Sequence, residues 1–245
     1  MKRDYGGQLA AWNARFGSEG TALWEELRSI YYQFTQASQD DEETICILWT
    51  LVVHLVHNFK ATQRIRQPAT DWPGLRTLPN TSEEVPVDIQ PPSDVLRKSL
   101  ICSATQYWLR EEHGVKGFGV PTTSALCSLI WPDKFAITDR LARKALAAGT
   151  APDNPVFGIS TPFGELRLGD QEDPPGDWTH YCKEYLPSVK EIASSLHRSD
   201  SSGQLLVVER SMYQIGQRME GIRKGRKRTW AQYREELEHL FWNPD

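Results

Sequence analysis

Apolar residues recur at helical spacing along most of this chain, and this periodicity restricts the fold more than any other feature. An amphipathic helix is predicted at 21–36 because its apolar side chains recur every three or four positions. Residues 44–59 are apolar on nearly every side, which predicts the central buried helix of the fold. Further helices are predicted at about 94–113, 120–131, 138–149, 177–197 (interrupted by Pro187), 203–220 and 229–242.

Two segments rich in turn-forming residues interrupt these helices. Residues 67–93 contain six prolines, which predicts a long connection across the surface. Residues 150–176 are rich in Pro, Gly and Asp, and within them 157–159 and 165–168 are candidates for a short β-hairpin. The predicted fold class is therefore mainly α, with at most one short β-hairpin.

The charge balance limits the kinds of partner that suit this chain. Its 245 residues include 28 basic and 32 acidic side chains, for a formal net charge of −4. This balance excludes a histone-like coat of positive charge and a polybasic membrane binder. Residues 93–150, however, hold eight basic and five acidic residues, so a local site for an anion fits this stretch.

Targeting and cysteine patterns point to a cytoplasmic protein. No run approaches the roughly 18 apolar residues of a membrane helix, and the first residues are not followed by the apolar stretch of a signal peptide. The four cysteines are far apart, which excludes a zinc ribbon or an iron–sulfur cluster. We therefore expect reduced thiols, no bound metal, no other cofactor and no membrane partner.

A glycine-bracketed turn at 117–119 is the first segment that indicates a function. The chain is predicted to turn on two glycines spaced by one apolar residue and to continue as a helix lined with small side chains. Pro121 suits the first helical turn, where its missing N–H costs little. Free N–H groups at such a helix start suit a phosphate, although a tight turn between two packed helices explains the pattern equally well. The predicted DNA-binding residues here are Lys116, Gly117, Gly119, Val120 and Thr122.

A second motif follows at 134–146, with the sequence KFAITDRLARKAL. Together the two motifs resemble the signature of the helix–hairpin–helix DNA glycosylase superfamily, most closely its adenine-excising branch. The resemblance covers 107–146, and a looser similarity extends through the C-terminal helices to about residue 218. In that superfamily an aspartate ends the loop after the hairpin and caps a helix that faces DNA. The matching residues are Phe135, Ile137, Thr138 and Asp139.

The resemblance implies a two-lobed helical fold and a role in base-excision repair. The partner would be duplex DNA with a damaged or mispaired base, which is flipped into a pocket. Asp139 would stabilise the sugar cation or deprotonate an attacking water, and Arg140 and Arg143 would add positive charge towards the DNA. By residue type alone Asp139 suits a simple N-cap better, and the two roles are compatible.

Three departures from the family restrict the expected chemistry. The position of the nucleophilic lysine of bifunctional members corresponds to about Pro121, which excludes lyase chemistry through that position. The cluster cysteines of the adenine branch are missing, and Glu42 and Glu43 lack the motif that surrounds that branch's general acid. The resemblance therefore implies a monofunctional N-glycosylase, with a catalytically inactive module that binds nucleic acid or a protein partner as the alternative.

The remaining expectations concern the organisation of the chain. We expect one glycosylase-like domain over 1–245 with two lobes. The first lobe would comprise about 1–92 together with the C-terminal helices, and the second, the hairpin lobe, would comprise about 93–150. The basic cluster at 223–228 suits phosphate contact or a flexible connector. His54 and His57 are interpreted as core or pocket-lining residues rather than metal ligands.

Overall fold

The described part of the chain is helical. The computed structural model describes residues 4–15, 18–38, 40–61, 120–153, 155–164, 176, 178–195, 204–222 and 229–243. No strand occurs among these residues, which confirms the mainly α fold class. The α-helices are α1 (Tyr5–Ala14), α2 (Ser18–Gln36), α3 (Glu42–Ala61), α4 (Val120–Ile130), α5 (Arg140–Gly149), α6 (Trp178–His180), α7 (Leu186–Ser195), α8 (Gln204–Ile222) and α9 (Trp230–Trp242).

These helices fall into two compact units. The terminal unit comprises Met1–Gly17 and Trp131–Asp245, and the inner unit comprises Ser18–Ile130. The lobe boundary expected near residue 92 lies outside the described residues, as do the predicted helix at 94–113, the connection at 67–93 and the basic cluster at 223–228. The lobe assignment therefore stays a prediction. Among the described residues, no helix combines the length and the apolar character that crossing a bilayer requires.

In the inner unit, α2 packs against α3, and both contact α4. Phe34 of α2 and Trp49 of α3 are buried with their ring centroids 5.1 Å apart. Helix α3 begins after Asp41, whose Oδ1 accepts a hydrogen bond from the Thr44 amide at 3.0 Å. This hydrogen bond holds the pKa of Asp41 below its usual range, as expected for a carboxylate that caps a helix.

Helix α3 is not buried on every side, so the prediction of a central buried helix was wrong. One stripe of α3, which includes Trp49 and Val52, is buried. On another stripe, Ile47 is 54% exposed and Leu51 is 43% exposed. His54 is exposed as well, so it is not a core residue. A run of apolar residues predicts a helix, but it does not show how many of its faces the neighbouring elements cover.

In the terminal unit, α8 is the central element and packs against α1, α5, α7 and α9. Helices α5 and α8 approach so closely that a Cβ atom added at Gly216 would lie 2.4 Å from the carbonyl oxygen of Leu141. Two hydrogen bonds hold helix α1 in this unit. Ser211 Oγ of α8 donates to the Leu9 carbonyl at 2.7 Å, and Trp12 Nε1 donates to the Phe241 carbonyl of α9 at 3.3 Å. The core of this unit thus brings together residues from the two ends of the chain.

The predicted helix at 177–197 is interrupted, as expected, next to Pro187. Helices α6 and α7 are joined by a π-helical turn, Tyr181–Tyr185, in which the Leu186 amide bonds to the carbonyl five residues back, at Tyr181. Proline has no N–H, and its ring crowds the carbonyl four residues earlier, so a regular turn cannot form directly before it. The wider π turn accommodates this restriction.

The β-hairpin expectation was wrong at 157–159, where the chain forms turns. The Phe157 amide donates to the Gly149 carbonyl at 2.9 Å, and the Gly158 amide donates to the Pro155 carbonyl at 3.0 Å. Gly158 has a φ of 77°, which a glycine adopts without strain. Local turn bonds therefore take the place of strand pairing, and 165–168 lies outside the described residues.

Candidate functional site

Asp139 caps the N-terminus of α5, as the sequence predicted. Its backbone is extended, and its Oδ1 accepts a hydrogen bond from the Ala142 amide at 2.8 Å. Its own carbonyl accepts the first helical bond, from the Arg143 amide at 3.0 Å. The carboxylate is thus fixed at the positive end of a helix, where a negative charge is stabilised. The N-cap interpretation is confirmed, and the catalytic role stays a prediction.

The chain that leads to Asp139 is buried and is held by two tyrosines. Residues 135–138, which follow the turn after α4 and lead into α5, are buried. Tyr181 Oη donates to the Ala136 carbonyl at 2.7 Å, and Tyr185 Oη donates to the Ile137 carbonyl at 3.0 Å. Buried carbonyls need such partners, so these two hydroxyls fix the path of the backbone just before Asp139.

The two tyrosines belong to an aromatic stack. The ring centroids of Trp178 and Tyr181 are 4.8 Å apart, and those of Tyr181 and Tyr185 are 5.8 Å apart, both in stacked geometry. Phe163 meets Tyr185 edge-on at 5.5 Å. Because Tyr181 and Tyr185 are almost fully buried, their rings have little freedom to move their hydroxyls away from the backbone.

A second carboxylate, on α8, lies near the same group of residues. Glu209 is only 5% exposed. Burial raises the pKa of Tyr213 to about 12, and the negative charges of Asp139 and Glu209 contribute to the rise. Burial also raises the pKa of Tyr185 well above its usual value, with Glu209 and Asp139 adding to the effect. Both phenols therefore remain protonated at neutral pH, and each can act as a hydrogen-bond donor.

The predicted DNA-contacting arginines are both engaged within the terminal unit. Arg140 Nη1 lies 3.6 Å from Glu220 Oε1, and Lys144 Nζ lies 3.3 Å from the same oxygen. Arg143 packs against Gly176, its Nε and Nη1 atoms are buried, and its charge opposes the rise in the pKa of Tyr185. Arg140 keeps 40% of its side chain exposed. The DNA contacts of both arginines stay predictions.

The hairpin residues that can be placed belong to the inner unit. Helix α4 begins at Val120, as predicted, and Pro121 lies in its first turn, where its carbonyl accepts a hydrogen bond from Ser124 Oγ at 2.9 Å. Val120 is half-buried, and Thr122 is buried. Lys116, Gly117 and Gly119 lie outside the described residues. Phosphate binding by this turn therefore stays a prediction.

Comparison with known proteins identifies no relative of this chain. No protein-family model, curated protein or solved structure matches this chain. The resemblance to the glycosylase superfamily therefore rests on the two sequence motifs. Within the part of the chain that the structure describes, no group of three or more His, Cys, Asp or Glu side chains is arranged to hold a metal ion.

Sequence reasoning identified Asp139 but missed the residues that surround it. Tyr181, Tyr185, Glu209 and Tyr213 come from two later helical segments. One signal was present in the sequence, since Tyr181 and Tyr185, like Glu209 and Tyr213, are four residues apart and so share a helix face. The structure brings these four residues together with Asp139 within the terminal unit.

Proposed function

We propose that this protein is a DNA-binding base-excision protein that acts as a monofunctional N-glycosylase, with Asp139 as its catalytic carboxylate. One observation carries the proposal: the Asp139 side chain is fixed at the start of α5 by the Ala142 amide, at the position where the superfamily motif has its aspartate. The buried approach segment and the tyrosines that hold it support a rigid site rather than an incidental cap.

Cleavage of an N-glycosidic bond leaves positive charge on the deoxyribose. A fixed carboxylate next to the sugar stabilises that charge as it develops, and its orientation needs no rearrangement during the reaction. The same carboxylate can accept a proton from the attacking water. The flipped base would leave as the free base, and water would take its place on the sugar. Without a lysine in the hairpin position, the abasic strand would stay intact.

A second candidate function is a catalytically inactive module that binds nucleic acid or a protein partner. Glu220 favours this alternative, because it pairs with both Arg140 and Lys144 and reduces the positive charge that α5 offers to a phosphate. Glu220 lies on α8, so this pairing is part of the packing between α5 and α8.

The two candidates differ in base release, which is the decisive measurement. The full chain would be incubated in excess with end-labelled duplexes that carry uracil, an oxidised purine, an alkylated purine or a mispaired adenine. The proposal expects alkali-dependent strand cleavage of at least one duplex, with no cleavage before alkali. Binding to an abasic duplex without any base release across the panel would favour the inactive module.

The pairing of Glu220 gives a prediction for DNA affinity. Glu220→Gln releases the charge of Arg140 for phosphate contact, so we expect affinity for an undamaged duplex at about 50 mM salt to rise by up to about tenfold. The slope of log K against log salt should steepen by about one unit. The measurement is a fluorescence-anisotropy titration at several salt concentrations.

The matched control for this prediction is Glu25→Gln. Glu25 pairs with Arg28 at 3.5 Å on the surface of α2, in the inner unit, and its substitution changes the net charge by the same amount. We expect the control to leave the salt slope unchanged. Equal slopes for Glu220→Gln and the wild-type protein would contradict the prediction that Glu220 withholds Arg140 from phosphate contact.

A further inference from the structure

The two hydroxyls that hold the approach to Asp139 are directional contacts. Each tyrosine uses its Oη atom on one backbone carbonyl, and the two carbonyls belong to consecutive residues, Ala136 and Ile137. Two hydrogen bonds to neighbouring carbonyls fix this backbone at two points, which packing of apolar side chains alone does less well.

The support for these hydroxyls is itself rigid. Tyr181 is 2% exposed and Tyr185 is fully buried, and both lie in the π-helical turn that precedes Pro187. Such turns are often found at functional sites. The stack with Trp178 on one side and the edge contact with Phe163 on the other keep the rings in place. The raised pKa of Tyr185 keeps its hydroxyl protonated, so the donor persists across the neutral and mildly alkaline range.

We propose that Tyr181 and Tyr185 are positioning residues that hold residues 136–138 and thereby orient the Asp139 carboxylate for its reaction. The role of Asp139 in this inference rests on the proposed function, whereas the positioning of its carboxylate does not. The hydroxyls fix the backbone of Ala136 and Ile137, and this backbone places the Asp139 carboxylate where it accepts the hydrogen bond from the Ala142 amide. Thr138, the last residue before Asp139, is buried in the same segment.

Tyr181→Phe, Tyr185→Phe and the double variant remove the hydroxyls and keep the rings. We expect the double variant to lower the single-turnover rate of base release by about ten- to a hundredfold, since small misplacements of a catalytic group have effects of this size. The Kd for an abasic duplex should stay within about twofold, because neither hydroxyl is proposed to touch DNA. If the substitutions merely disrupted the structure, the rate, the Kd and the folded fraction would all change together.

A second readout needs no activity. In the wild-type protein, the chemical shift of the Ala142 amide proton reports its hydrogen bond to Asp139 Oδ1, and the Asp139→Ala variant gives the value without this bond. If the hydroxyls orient Asp139, this chemical shift should move at least half of the way to the Asp139→Ala value in the double variant. Should the double variant not fold, the two single variants are measured in the same way, with a smaller loss expected in each.

Tyr5→Phe is the matched control, because the Tyr5 ring packs edge-on against Trp242 at 5.2 Å in the same unit. It should leave the Ala142 chemical shift and the rate unchanged. A wild-type Ala142 chemical shift in the folded Phe variants would overturn the positioning proposal. Absence of base release from the wild-type protein would overturn the proposed function alone, and the Ala142 chemical shift would still decide the positioning.

Discussion

Asp139→Asn is expected to abolish base release while leaving the protein as stable as the wild type. Asparagine caps a helix about as well as aspartate, so its amide oxygen can accept the hydrogen bond from Ala142 that Asp139 accepts at 2.8 Å. It carries no negative charge, however, and cannot stabilise a sugar cation. We expect the single-turnover rate to fall by about a thousandfold, with a change in the free energy of unfolding of no more than about 0.5 kcal/mol.

Asp139→Ala separates the two roles of this side chain. Alanine removes both the charge and the cap, so the rate should fall as far as in Asp139→Asn while the free energy of unfolding falls by about 1 kcal/mol. The measurements are single-turnover base release and urea unfolding of all three proteins. If Asp139→Asn keeps the wild-type rate and only Asp139→Ala is destabilised, then Asp139 is a cap and the catalytic assignment is wrong.

Asp41 provides the control for these substitutions. It caps α3 in the same way, with its Oδ1 accepting from the Thr44 amide at 3.0 Å, but it lies in the inner unit and is exposed. Asp41→Asn and Asp41→Ala should leave the rate of base release unchanged. A loss of activity in the Asp41 variants equal to that in Asp139→Asn would mean that the assay reports helix capping in general.

Much of the helical structure could be predicted because its boundaries are set locally. Helix α5 was expected from about residue 138 and begins at Arg140, after an aspartate whose side chain satisfies a free amide at the helix start. Helix α4 was expected at 120–131 and spans Val120–Ile130, ending before Pro132, because a proline disfavours helical geometry in the residue before it. The exposed stripe of α3 was not predictable, since it depends on which neighbours cover the helix.

The surroundings of Asp139 could not be predicted for a related reason. Tyr181 and Tyr185 reach the approach segment from 45 and 48 residues further along the chain, and aromatic residues at helical spacing are usually core residues. Here they are core residues whose hydroxyls also donate hydrogen bonds to backbone carbonyls. Glu209 lies between buried residues such as Val208 and Met212 on α8. Because acidic residues are seldom buried, nothing in the sequence indicated that Glu209 lies in the interior.

Gly216→Ala is expected to be among the most destabilising single substitutions in the terminal unit. The added Cβ would lie 2.4 Å from the carbonyl oxygen of Leu141 and 2.7 Å from its carbonyl carbon. These are backbone atoms of α5, so the overlap is relieved only if α5 and α8 move apart, which loosens the packing between them. We expect the free energy of unfolding to fall by about 3 kcal/mol, as measured by urea unfolding.

Gly221→Ala is the control, because it makes the same chemical change on the same helix. Gly221 is exposed, and an added Cβ meets nothing within 4 Å, so the helix preference of alanine should raise stability by about 0.5–1 kcal/mol. The two substitutions should therefore have opposite signs. Since α5 begins beside Asp139, Gly216→Ala should also slow base release and Gly221→Ala should not. A stabilising Gly216→Ala would show that α5 and α8 do not approach as closely as the structure indicates.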